Sequence, residues 1–277
     1  MPQRRSVPPF RLIATDLDGT LLRSDKTVSP RVRTALRHAR QLGVPAVIAT
    51  ARPPITARMF AEMAGVDGVV ICANGAITYD LLASAVIAHR ELDHDAARSV
   101  VAALRERLPG ICFGAVQGEG FAADPGFAAV ASRDEHGDQL NEMRVCEADL
   151  FFDRPLTKLV IRHADHHPTA LVAHVRELGL TGFEVNSSGA PFMEIVGGGV
   201  SKAQALAEFC AEQGVEAGEV IAFGDAPNDL PMLRWAGHGV AVGNRYPEVG
   251  AEANEVAPSS DEDGMATVLE RVFGRPV

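Results

Sequence analysis

The chain is short of several things, and each shortage removes a class of protein. It has four cysteines in 277 residues, Cys72, Cys112, Cys146 and Cys210, and they form no Cys-x-x-Cys pair. That argues against a disulfide framework and against zinc-ligand spacing. Three of them sit in apolar runs, as buried reduced thiols do, so a reducing cytoplasm is expected. No apolar run is long enough to span a bilayer, so no membrane partner is expected. Met1 to Pro9 carries Arg4 and Arg5 but no apolar segment follows, so it reads as a short frayed tail rather than a signal peptide. Lysine and arginine, 26 together, are outnumbered by 36 aspartates and glutamates, a net charge of −10. A nucleic-acid backbone would be repelled, although a small anion could bind at a local cationic site. There is no internal repeat and no low-complexity tract. No Gly-x-Gly-x-x-Gly follows the first strand, which disfavours a dinucleotide-binding oxidoreductase. What remains is 47% hydrophobic and 22% charged, ordinary for a globular chain of one large or two modest domains.

The most informative stretch present is Ile13-Ala14-Thr15-Asp16-Leu17-Asp18-Gly19-Thr20-Leu21-Leu22. An apolar run from Phe10 to Thr15 reads as a buried strand that ends in an acidic turn. Residues two apart on a strand share a face, so Asp16 and Asp18 converge past its end, and Gly19 permits the tight turn. Two carboxylates so close repel each other unless a cation or a shared proton intervenes. A hard divalent cation with oxygen ligands, Mg²⁺ beside phosphate, is the simplest remedy.

The pattern then repeats. Ser29-Pro30 opens a helix that Gly43 closes. Val44 to Thr50 is a strand ending in Thr50-Ala51-Arg52, and Pro53-Pro54 starts a helix that closes at Gly65. Gly68 to Cys72 is a strand ending in Ala73-Asn74-Gly75-Ala76. Strand–helix alternation of this kind predicts right-handed βαβ units and a parallel sheet, whose functional groups gather at strand ends. The character changes near Ser84, and residues 85–190 read as a separate α+β insertion. Within it Asp93 to Leu108 and Pro168 to Leu178 are helices, and Lys158 to Arg162 and Gly182 to Asn186 are strands. Gly114 to Asn141 shows no clear pattern, and Ser187-Ser188-Gly189 looks like a linker. The core pattern returns at Pro191 with a strand, Phe192 to Val196. A helix follows, with Ser201 as N-cap and Gln204 completing a capping box. Val220 to Phe223 is a buried strand ending in Gly224-Asp225-Ala226-Pro227-Asn228-Asp229. Gly239 to Val242 is another strand, and the last helix runs from Asp263 to Val272.

Asp-x-Asp-Gly-Thr after an apolar strand resembles the first motif of the haloacid dehalogenase superfamily of phosphohydrolases. Thr50-Ala51-Arg52, Val200-Ser201-Lys202-Ala203 and Gly224-Asp225-Ala226-Pro227-Asn228-Asp229 resemble its other three, in family order. The resemblance implies an α/β fold, a Rossmann-like parallel-sheet core at 1–84 and 191–277 with an α+β cap at 85–190. It implies a Mg²⁺-dependent phosphatase that hydrolyses a small phosphomonoester, such as a sugar phosphate, through an aspartyl-phosphate. Asp16 would be the nucleophile and Asp18 the general acid and base. Thr50 would hydrogen-bond the phosphoryl group and Lys202 would neutralise charge on it. Asp16, Asp18 and Asp225 form the expected metal set, with the Asp18 side chain held off the metal so that it can carry a proton. Arg52, Asn74, Gly75 and Asn228 are the expected substrate contacts, and Asp229 supports them. The usual second motif is Thr-Gly-Arg, from which Ala51 departs.

The position of the insertion, Asn74-Gly75-Ala76, Gly243-Asn244 and the tail Ser259-Ser260-Asp261-Glu262-Asp263-Gly264 resemble the Cof-type branch (class IIB). Arg245 replaces the small residue usual there. A cap of that kind would close over the strand ends and set specificity. A phosphomutase of the same fold, or a phospho-ligand-binding protein without turnover, are the alternatives. The presence of Asp16, Asp18, Lys202 and Asp225 disfavours the latter, and a dehalogenase would not need this acidic set. The partner is a small phosphate ester, the expected assembly a monomer or homodimer. His163, His166 and His167 read as a solvated loop rather than a metal site.

Overall fold

Short, uniformly apolar runs that would be hard to satisfy at a surface become fully buried strands. The computed structural model of the chain describes residues 9–118, 120–131, 143–243 and 246–275. Most of the N-terminal tail, the end of the Gly114–Asn141 stretch, and Asn244 and Arg245 lie outside these residues. β1 (Leu12–Thr15) leads through α1 (Pro30–Gln41) to β2 (Ala46–Ala49), then through α2 (Pro54–Ala64) to β3 (Val69–Cys72). Ser29 caps α1, its Oγ accepting the Val32 N–H at 3.1 Å, and Pro30 supplies the first helical residue. Gly65 ends α2 at φ 74°, where a side chain would be strained. A hairpin of β4 (Ile77–Asp80) and β5 (Ala85–His89) follows. Its turn is held by Asp80 Oδ1, which accepts from the N–H groups of Leu82 and Ala83.

The inserted unit contains α3 (His94–Arg107), β6 (Cys112–Gln117), β7 (Gly120–Ala123), α4 (Pro125–Val130), β8 (Arg144–Val145), β9 (Lys158–Arg162), α5 (Pro168–Glu177), β10 (Phe183–Asn186) and β11 (Met193–Gly197). The chain then returns through α6 (Lys202–Glu212), β12 (Val220–Gly224), α7 (Leu230–Trp235), β13 (His238–Val242), α8 (Pro247–Glu252), β14 (Glu255–Ala257) and α9 (Gly264–Phe273).

Two sheets result. The core sheet has the order β14-β13-β12-β1-β2-β3-β4-β5, parallel from β14 to β3 and antiparallel beyond. Alternation along β1 splits its burial: Ile13 faces α1, α2 and α9, while Leu12 and Ala14 face α6 and α7. The second sheet has the order β10-β11-β9-β6-β7-β8. Leu159, Ile161, Met193 and Ile195 on one of its faces pack on α3 and α5. The opposite face looks towards the core strands.

Three local expectations change. β5, on the inserted side of the boundary expected at 84/85, pairs with β4 in the core sheet. β11, on the core side of the boundary expected at 190/191, pairs with β9 and β10 in the second sheet. Hydrophobic alternation cannot tell which of two sheets a strand joins, because the partner strand is set by distant contacts and not by the strand's own residues. The Ser201–Gln204 capping box is half formed: Ser201 Oγ accepts the Gln204 N–H, but Gln204 Nε2 turns to Glu208 at 3.2 Å. Among the described residues no helix is long and apolar enough to cross a membrane.

Candidate active site

β1 lies between β2 and β12, and their ends are in register: Thr15 is opposite both Ile48 and Phe223. The chain winds one way from β1 to β3 and the other way from β12 to β14, so the crevice at the ends of β1 and β12 is the sheet's switch point. A cavity of about 670 Å³ opens there. Asp16, Asp18, Thr50, Arg52, Asp225 and Asn228 line it from the core. Val116, Phe121, Lys158, Val160, Phe192 and Glu194 line it from the inserted unit.

Asp16 continues the ladder of β1, its N–H donating to Phe223 O at 3.0 Å, and its side chain is buried. Lys202, 2% exposed at the start of α6, donates to Asp16 Oδ1 at 2.6 Å and to Asp229 Oδ1 at 2.7 Å. Burial works against the Lys202 ammonium, but Asp16 and Asp229 outweigh it and its pKa is raised. Burial also raises the Asp16 carboxyl, against the pull of Lys202, and the neighbouring carboxylates of Asp229, Asp225 and Asp18 push it the same way. Asp229 Oδ2 accepts the N–H groups of Asp225 and Ala226, both at 3.0 Å. Its two oxygens thus shape the loop and hold Lys202.

Asp225 is aimed by Thr20, whose Oγ1 donates to its Oδ1 at 2.9 Å. Gly19 is required here: its φ is +84°, and a Cβ would lie 2.4 Å from Asp225 Oδ2. Carboxylate oxygens of Asp16, Asp225 and Asp229 lie within 4.8 Å of one another. Beside them Asn228 Oδ1 is buried without a hydrogen-bond partner among the described residues. An all-oxygen donor set with an orphaned acceptor fits a hard divalent cation.

Asp18 departs from expectation. Its carboxylate turns from that cluster to Arg52, with Nε donating to Oδ2 at 2.6 Å and Nη2 to Oδ1 at 2.8 Å, and to Lys26 at 2.8 Å. Burial raises its pKa, but the two cations prevail and bring it to about 2. The side chain is therefore off the metal set, as required of a proton carrier, but in this arrangement it is an ion-paired carboxylate. Thr50 Oγ1 accepts the Arg52 N–H at 3.1 Å, which leaves the hydroxyl proton for an acceptor in the cavity.

The structure also moves Asn74 and Gly75 behind the cavity rather than into its wall. Gly75 passes so close to α6 that a Cβ would lie 2.2 Å from Ser201 O. Asn74 Oδ1 accepts from Asn228 Nδ2 at 3.0 Å, and Asn74 Nδ2 donates to Glu194 Oε2 at 3.0 Å. Proximity to a strand end did not decide which of these side chains face the cavity.

Thr20, Lys26, Lys158 and Glu194 were not singled out from the sequence. Lys158 and Glu194 had a signal: each is a charge at an inward position of an apolar strand, where only a paired or functional charge persists. The histidines take structural parts. His163 Nε2 meets Pro109 O at 3.0 Å while its Nδ1 accepts the Asp165 N–H, and His167 caps α5.

Residues 13–269 match the haloacid dehalogenase-like hydrolase family. The chain is 31% identical over 278 residues to the pyridoxal phosphate phosphatase YbhA of Escherichia coli, covering 94% of this chain and 97% of that one. It is 27% identical to the 5-amino-6-(5-phospho-D-ribitylamino)uracil phosphatase YitU of Bacillus subtilis, over 95% and 97% of the two chains. Among solved structures it superposes on the phosphatase BT1666 of Bacteroides thetaiotaomicron with a TM-score of 0.81 at 26% identity, covering 98% of this chain and 97% of the other. The fold is shared with the subclass IIB sugar phosphatase BT4131, TM-score 0.79 at 21% identity, covering 94% and 98%.

Proposed function

The chain belongs to the haloacid dehalogenase-like hydrolases, as one of their phosphatases, and from that premise we propose a Mg²⁺-dependent hydrolase of small phosphomonoesters that works through an aspartyl-phosphate on Asp16. One observation carries the reading: Asp16, Thr50 and Asp225, from the ends of three adjacent strands, line one cavity, and Lys202 holds Asp16 from a helix start behind it.

Asp16 and Asp225, with Asn228 beside them, would hold Mg²⁺, which supplies Lewis-acid stabilisation of charge at the phosphoryl oxygens. The other contributions come from the chain's own side chains. Asp16 attacks phosphorus with one carboxylate oxygen, and the ester P–O bond breaks on the opposite side. Lys202 holds Asp16 in place and keeps it from being only one more unbalanced negative charge. Thr50 donates its hydroxyl to a phosphoryl oxygen. The leaving alkoxide takes a proton from Asp18; in the second half, Asp18 takes one from the water that cleaves the acyl phosphate, releasing inorganic phosphate and restoring Asp16. For this Asp18 must part from Arg52 and Lys26. Both cations line the cavity, and an incoming phosphate dianion competes for them.

The named activities of the two relatives support a small phosphorylated metabolite as substrate, such as a heterocycle carrying a phosphorylated side chain. None of the four cysteines is in a disulfide, which supports a cytoplasmic location. The test is phosphate release from a panel of sugar phosphates, nucleotides, pyridoxal phosphate and p-nitrophenyl phosphate, with and without Mg²⁺, alongside Asp16→Asn. Mg²⁺-dependent release that falls at least about 1,000-fold in Asp16→Asn is expected. Release that survives the substitution would remove Asp16 as nucleophile.

A further inference from the structure

Where the strands of the second sheet line the cavity they present Val116, Phe121 and Val160 and two buried charges, Lys158 and Glu194. Lys158 stands opposite Val116 and Val196, and Glu194 opposite Val160, so all five share one face. Lys158 is 4% exposed and Glu194 1%. They pair with each other, and neither stops there. Lys158 Nζ donates to Ala51 O at 2.9 Å, the central carbonyl of the Thr50-Ala51-Arg52 loop. Glu194 accepts from Asn74, and Asn74 accepts from Asn228, whose remaining oxygen is the orphan beside the acidic cluster. A continuous line of polar contacts thus joins the inserted unit to both the phosphate loop and the metal-side loop.

The Asn74 end of the line is held in a costly shape. Ala73, Asn74 and Gly75 are all left-handed, with φ of 49°, 58° and 102°. Such a backbone persists only where its surroundings over-determine it, and such strain gathers at functional sites. Here the surroundings are Glu194 and Asn228 on the Asn74 amide, Ser201 against Gly75, and two backbone bonds to the phosphate loop. Those are Asn74 N–H to Thr50 O at 3.0 Å and Ala73 N–H to Arg52 O at 2.9 Å.

We propose that Lys158 and Glu194 are positioning residues for phosphoryl transfer: when the inserted unit sits on the core, they lock the Thr50–Arg52 loop through Ala51 O and aim Asn228 through Asn74. Neither touches the reacting atoms. They make the assembly of the phosphate-binding loop conditional on closure of the other unit. Turnover is thereby tied to a closed, water-poor site. The lysine also bears on Ala51. At a position where glycine is usual in the family, the loop needs no freedom if its carbonyl is clamped from above. The kinetic consequence rests on the phosphatase reading; the structural one does not.

A double replacement separates this role from that of a buried pair that only holds the inserted unit together. Exchanging both charges for apolar side chains of similar size is often neutral for stability. Lys158→Met/Glu194→Leu should therefore melt within a few degrees of the wild type and yet lose kcat on the order of 100-fold, with KM changed less than about threefold. Glu194→Gln and Asn74→Ala should each lose kcat, and their combination should be no worse than the more severe single variant, since both break one line. Hydrogen exchange supplies a readout without turnover: the amides of Ala73 and Asn74 should exchange about tenfold faster in Lys158→Met/Glu194→Leu. A kcat within twofold of wild type, a loss confined to KM, or multiplying losses in the Glu194–Asn74 pair would overturn the proposal. If the wild type released phosphate from no ester, the phosphatase reading would fall. The exchange data would then decide this proposal alone, with unchanged Ala73 and Asn74 protection counting against it.

Discussion

Replacing Lys202 with methionine removes one ammonium from between two buried carboxylates. Lys202 is 2% exposed, Asp229 0% and Asp16 5%, so water cannot take over its role. Breaking a buried pair by removing one partner costs roughly 3–5 kcal/mol, because the partner is left charged and unsolvated. Here two partners are left, 2.6 and 2.7 Å from the vanished nitrogen, which puts the loss at the upper end. At about 2–4 °C per kcal/mol for a chain of this size, a loss of about 5 kcal/mol should lower the melting temperature by between about 10 and 20 °C. Phosphate release should fall by on the order of 100- to 1,000-fold, the scale for losing a charge aimed at a transition state. The double variant Lys202→Met/Asp16→Asn identifies the cause. If stranded charge is responsible, neutralising one carboxylate returns about half of the stability, so the double variant melts above the single one. If lost packing were responsible, the second substitution would return nothing. A Lys202→Met protein melting within about 2 °C of wild type, or a double variant less stable than the single, would refute the electrostatic account.

Other outcomes follow from single contacts. Gly19→Ala should all but abolish Mg²⁺ activation while shifting the melting temperature only modestly, since its Cβ meets the Asp225 carboxylate rather than the core; saturation with Mg²⁺ at the wild-type concentration would contradict this. EDTA should silence phosphate release and added Mg²⁺ restore it, whereas full activity in chelator would dismiss the metal. Acid stability should depend in part on Glu255. Burial raises its pKa, but His238 and Arg271 outweigh it and hold the group below the usual 4.5. A depressed carboxyl contributes stability that is complete above the unfolded value and is lost as pH falls through the folded one. Glu255→Gln should therefore lower stability by up to about 1 kcal/mol at pH 7 and by progressively less as pH falls below the usual carboxylate range, as read by urea unfolding across it; a loss independent of pH would contradict the assignment.

Most of the core was legible because its signals are local. A strand ending in Asp16-Leu17-Asp18-Gly19, a serine before Pro30 and a glycine at 65 each obey rules that act over a few residues. The buried nucleophile candidate, the lysine at a helix start and Asp225 were found for the same reason. What was misplaced depended on distant partners. β5 and β11 are both apolar runs, yet one becomes an exposed edge strand of the core sheet and the other a buried strand of the second. Asn74 ends a strand and the family resemblance makes it an expected substrate contact, yet its amide is taken by Glu194, 120 residues away.

The sequence alone determined the strands and helices that carry the four motifs, the family, and the four short stretches themselves, because apolar periodicity, capping and turn residues are written in neighbouring positions; the β4–β5 hairpin and the elements between Cys112 and Val130 were not legible there. Only the tertiary structure decided how those stretches are wired. Asp18 is clamped by Arg52 and Lys26, Asp229 spends its oxygens on Lys202 and the loop, and Lys158 and Glu194 bridge two units. The physical reason is that a charge acquires its role from what lies within a few ångströms once water is excluded, and which groups those are is set by packing, not by spacing along the chain.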